Sequence, residues 1–94
     1  KMKKTVEVEY VGIEDVHEII DDVTEVIKLG HYASVKLSEV SGNLYVSVYV
    51  MIGGFDNKKE YDYQFGFALT EDECDIKELT VCRNTLKNLQ VVIG

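Results

Sequence analysis

Residues 31–52 alternate apolar and polar side chains on either side of Ser41-Gly42-Asn43, and that pattern predicts a β-hairpin. In the first run Ala33, Val35 and Leu37 share one face. In the second, Leu44, Val46, Val48, Val50 and Ile52 point inward, and Tyr45, Ser47, Tyr49 and Met51 point the other way. Ser, Gly and Asn supply the turn chemistry between them. The rest of the chain must cover the apolar face of this hairpin.

Two more runs share its period of two. Residues 60–69 put Tyr61, Tyr63, Phe65, Phe67 and Leu69 on one face. Residues 3–11 put Val6, Val8 and Tyr10 together, and Gly12 ends the run. Both are expected as strands.

The period changes over residues 13–29. Val16, Ile19, Ile20, Val23, Val26 and Ile27 fall on one helical arc of about 120°. Glu14, Asp15, Glu18, Asp21, Asp22 and Glu25 fill the opposite arc and are expected in solvent. Gly30 stands where a helix C-cap favours a left-handed residue, and Lys28 lies in the last turn, where the helix dipole favours a cation.

After the fourth strand, Thr70-Glu71-Asp72-Glu73 matches a capping box. Ile76, Leu79, Cys82, Leu86, Leu89 and Ile93 continue as a helical stripe. Residues 79–82 also read as a short strand, and one continuous helix is the favoured reading. The order is then β-α-β-β-β-α. It predicts a single α+β domain over residues 1–94, with two helices on one face of a four-stranded, mainly antiparallel sheet.

Charge narrows the function classes. The 94 residues carry 17 acids against 10 lysines and arginines, a net charge of −7 with Arg83 the only arginine. Phosphate binding needs clustered cations, so direct nucleic-acid binding is not expected. The order α-β-β-β-α after the first strand is that of double-stranded-RNA-binding domains. That family needs lysines at the start of its last helix, and Glu71, Asp72, Glu73 and Asp75 stand there instead, so the chain is not placed in it.

No apolar run approaches the 18 residues of a membrane span, and Glu7 and Glu9 interrupt any secretory leader after Lys3 and Lys4. Met2 is expected to be the native start. Two cysteines, Cys74 and Cys82, are too few for a secreted disulfide scaffold and are expected as buried thiols in a cytoplasmic protein.

Catalytic and metal motifs are missing. His17, His31, Cys74 and Cys82 lack zinc spacing. The acidic run at 71–75 lacks the alternating ligands of a calcium loop and suits a helix N-terminus. No nucleophile elbow, phosphate loop or dinucleotide fingerprint occurs. Neither a cofactor, a metal nor an enzymatic activity is expected.

Two surfaces remain as candidates. Glu14, Glu18, Asp21, Asp22 and Glu25 form one acidic ridge. Tyr32, Tyr45, Tyr49 and Met51 form an exposed face on the side of the sheet away from the helices, enriched in residues typical of interface cores. The expected function is a non-enzymatic protein-binding module that occupies a basic site on a partner, as an inhibitor, immunity protein or adaptor. Small acidic domains from phages and mobile elements, including anti-CRISPR proteins, offer an analogy of size and charge. The alternative is a self-associating structural or accessory protein using the tyrosine face, for which a homodimer is one outcome; a small enzyme is third.

Overall fold

The computed structural model describes residues 10–91. These form an α+β arrangement of two helices and a three-stranded antiparallel sheet in the order α1 (Ile13–Lys28), β1 (Tyr32–Val40), β2 (Asn43–Met51), β3 (Tyr63–Ala68) and α2 (Glu73–Leu89). The strand expected at residues 3–11 lies almost wholly outside the described residues. Its last two, Tyr10 and Val11, are not in a strand, and the described residues hold three strands, without the fourth that the β-α-β-β-β-α order expects. None of the helices among the described residues is long and apolar enough to cross a membrane.

The hairpin forms as the alternation requires. Ser41 and Gly42 take positive φ values of 52° and 84°, which closes a two-residue turn whose twist matches the flanking strands. Val40 then pairs with Asn43, and the register runs to Tyr32 opposite Met51. β2 also pairs with β3, Val46 opposite Phe67 and Val48 opposite Phe65. Among the described residues β1 and β3 are therefore the two edges of the sheet.

β3 is shorter than the expected 60–69. The Asp62 carboxylate accepts from the Ile52 backbone N–H at 2.6 Å, and the Asp62 N–H donates to the Val50 carbonyl at 2.9 Å. This local closure breaks the alternation just before the strand. Tyr61, expected on the face of Phe65 and Phe67, instead packs its ring 4.8 Å from Tyr49, on the opposite face.

Both helices cover the other side, α1 over β1 and α2 over β3. α1 starts where the Asp15 carboxylate accepts from the Gly12 N–H at 3.0 Å, and it stops at Leu29 and Gly30, whose φ is +97°. Val16, Ile19, Val23 and Val26 are buried among Val46, Val48, Val50, Phe67, Leu79 and Leu86. Ile20 and Ile27, expected in the same buried arc, are 41% and 49% exposed. α1 lies over an edge strand, so the outer part of its apolar arc overhangs the sheet.

α2 is one continuous helix through residues 79–82. Its cap is Asp72, whose carboxylate accepts from the Cys74 N–H at 2.8 Å, two residues beyond the expected Thr70. Thr70 instead donates to Asp75 at 2.6 Å and accepts from the Asp72 N–H at 3.0 Å. Ile93, the last residue of the expected stripe, lies outside the described residues.

Candidate functional site: an acidic helix face above a charged seam

The acidic side of α1 divides into a solvent-facing ridge and an inner row. Glu14, Glu18, Asp21 and Glu25 are exposed. Asp22, expected beside them, is only 3% exposed. Its helical position turns it toward α2, where its Oδ1 pairs with Lys87 Nζ at 2.8 Å and accepts from Gln90 Nε2 at 3.1 Å. Two turns earlier, Asp15 pairs with Arg83 at 3.2 Å, and the other guanidinium arm of Arg83 meets Glu18.

These contacts form a charged seam between the helices. Arg83 is 8% exposed and sits beneath the ridge. A carboxylate or guanidinium removed from water needs such partners, because an unpaired buried charge costs several kcal/mol. Asp22 Oδ2 and Arg83 Nε nonetheless have no hydrogen-bond partner among the described residues. The seam thus takes the sole arginine inward and pairs the half-exposed Lys87 with Asp22. Along the ridge itself the structure gives one more cation, Lys28, paired with Glu25 at 3.2 Å.

The tyrosine face is built differently from the expectation. Met51 is 1% exposed, and Tyr32, Tyr45 and Tyr49 are half-buried. The β2–β3 connection folds back over Tyr32 and Tyr49. Phe55 lies 5.1 Å from Tyr32, and Tyr61 lies 6.3 Å from Tyr32. Gly53, with φ of +82°, permits the reversal, and its N–H donates to His31 Nδ1 at 3.0 Å. A cleft of about 480 Å³ opens beside this cluster, between Phe55, Lys59, Tyr61 and Gln64. Tyr45 has a packing role: a Cβ on Gly66 would stand 3.0 Å from its Cζ, so the ring occupies space that only glycine leaves.

Of the nine expected site residues, four remain together on one exposed surface, namely Glu14, Glu18, Asp21 and Glu25. Asp22 and Met51 are buried. Arg83, Lys87, Phe55 and Tyr61 were missed. Arg83 carried a signal, since a lone arginine next to the stripe Leu79, Cys82 and Leu86 has to find an acid across the helix interface.

Of the two cysteines, Cys82 is buried as expected and Cys74 is exposed. Burial, reinforced by Glu78 and Asp22, pushes the Cys82 thiol from its ordinary 9.0 up to about 12, which makes it a poor nucleophile. Among the described residues no group of three or more His, Cys, Asp or Glu side chains is placed to hold a metal ion. Set against known proteins, the chain matches no family, no curated protein and no solved structure.

Proposed function

We propose that this protein is a non-enzymatic binding module that occupies a basic site on a partner protein with the exposed face of α1, in the manner of an inhibitor, immunity or anti-defence protein. One observation carries the reading: Glu14, Glu18, Asp21 and Glu25 line one exposed ridge while Arg83 and Lys87 are engaged in the seam. The ridge runs about 16 Å from Glu14 to Glu25 at 1.5 Å per residue. A concentrated field of one sign speeds encounter with an opposite surface and is screened by salt.

The N-terminus of α2 supports the same reading. Asp72 caps it, and Asp75 accepts from the Ala68 N–H at 3.1 Å and from Thr70. Carboxylates occupy the place where a phosphate would bind, so duplex DNA and RNA are not the proposed ligands. The alternative, self-association through the tyrosine face, draws less support because Met51 is buried and the rings are partly covered by Phe55 and Tyr61.

The test is affinity capture from the native host with the wild type and with Glu14→Lys, Asp21→Lys and Glu25→Lys combined. Asp22 and Glu18 stay untouched because both serve the seam. A partner with a basic surface should bind the wild type at about 0.15 M salt and be lost on reversal, with weaker capture as salt rises. Identical capture by both chains would reduce the ridge to a solvated face.

A further inference from the structure

The cleft of about 480 Å³ lies on the side of the sheet away from the helices, and the binding mode proposed above makes no use of it. Its volume is that of a small-ligand pocket. Phe55 and Tyr61 line it and are 61% and 41% exposed among the described residues. Large rings left in water at a concave site mark a place where another molecule can cover them.

The connection that carries these rings is fixed at several points. The Gly53 N–H donates to His31, the Gly54 N–H to the Met51 carbonyl at 3.4 Å, and the Asp62 N–H to the Val50 carbonyl. Between these ties Asp56 closes a tight turn. Its carbonyl accepts from the Lys59 N–H at 3.2 Å, and its carboxylate accepts from the Lys58 N–H at 2.9 Å. Tyr32 backs both rings, and Tyr49 backs Tyr61. The cleft is therefore formed before a ligand arrives, which limits the ordering cost of binding.

The charges in the lining select the ligand. They are Asp56, Lys59 and Glu60. Among the described residues the Glu60 carboxylate has no hydrogen bond or ion pair, and Lys59 pairs with neither acid. An anion would meet two carboxylates on a chain of net charge −7. A compact ammonium gains most where rings surround it. Here the ring pairs stand 4.8 to 6.3 Å apart, in contact with one another, so they make a platform and leave no box between them. A guanidinium is flat. It stacks on such a platform and keeps its N–H edge for a carboxylate.

We propose that this cleft holds an arginine side chain of a partner protein, its guanidinium stacked on Phe55 and Tyr61 and its N–H groups donating to Glu60. Lys59 offsets one of the two carboxylates, which fits a single arginine and not a basic cluster. The cleft and the α1 ridge lie on opposite sides of the sheet, so each can bind, or fail to bind, without the other.

A titration of isotope-labelled protein with N-acetyl-arginine methylamide, followed by backbone amide NMR shifts, tests this. Shifts should concentrate at residues 55–61 and Gln64 and saturate with a Kd of about 1–10 mM. The N-acetyl-lysine counterpart should bind about fivefold more weakly, because it cannot stack. Phe55→Leu keeps a cover over Tyr32 but removes the aromatic face, and Glu60→Gln removes the charge. Both alter exposed side chains, should leave the melting temperature unchanged and should each weaken the arginine probe about threefold to tenfold. Shifts confined to the α1 ridge would sink the cleft and leave the ridge reading standing. The proposal is also overturned by no saturating shift up to about 50 mM, by equal affinity for the two probes, or by indifference to both substitutions.

Discussion

Ile19 is fully buried beneath α1, whereas Ile20, one residue on, is 41% exposed. Ile19→Ala removes methyl groups from a packed core and should cost about 3 kcal/mol, read as a lowered denaturant midpoint. Ile20→Asp should shift stability by less than about 1 kcal/mol, because the charge stays in water. The six-residue apolar arc of α1 did not distinguish these two residues. Periodicity gives the direction of an apolar face but not its width of contact, which depends on how many strands lie beneath. Asp22 shows the same limit. It is the neighbour of exposed Asp21, and its burial depends on Lys87 and Gln90, whose distance along the chain hides them from any local pattern.

Cys82 adds a pH dependence whose sign can be worked out. Its folded value lies above the ordinary 9.0, at about 12. Below pH 9 the thiol is protonated in both states, and its contribution to stability is fully present. As pH rises from 9 toward 12, the unfolded chain releases the proton while the folded one holds it, so stability falls. The slope from this group reaches about 1.4 kcal/mol per pH unit. Denaturant titrations between pH 8 and 11 should therefore show a steeper loss for the wild type than for Cys82→Ala. In the folded protein a thiol reagent should modify Cys74 rapidly and leave Cys82 unmodified.

Among the elements, β3 and α2 act as one unit. The carboxylates of Asp75 and Glu78 take the outward N–H groups of Ala68 and Gly66, so the helix both packs on the strand and closes its edge. Asp75→Ala breaks the bonds to Ala68 and Thr70 and should cost about 2 kcal/mol. Hydrogen exchange should then accelerate at Ala68 more than at Phe67, whose register partner is Val46 in β2. The strands β1 and β2 and the helix α1 were legible because each is specified by neighbours within a few residues, by alternation, a two-residue turn or a glycine stop. β3 was legible only from Tyr63 onward. Asp62, a polar residue in an alternating run, reads locally as a solvent-facing strand position, and its role in accepting from Ile52 is set by the fold.

At the scale of the whole molecule, the exposed acids of α1 stand over a seam that holds the chain's sole arginine. The net charge of −7 was readable at once, but its distribution was not. Arg83 and Lys87 each contribute to the seam rather than to the surface field of α1. The candidate ridge was therefore legible in four of its five residues, and the tyrosine face was legible in its composition but not in its exposure. Phe55 and Tyr61 cover that face from a connection that carries no periodic signal.

The seam also fixes how the chain would bear a mechanical load. Asp15 meets Arg83, and seven residues later Asp22 meets Lys87 and Gln90, so α1 and α2 run in the same direction. Gly12 and Gln90 therefore lie at opposite ends of the pair. Tension applied between them slides one helix along the other instead of peeling it away. The ion pairs and the apolar contacts beneath them then share the force together, and the two helices part in a single step.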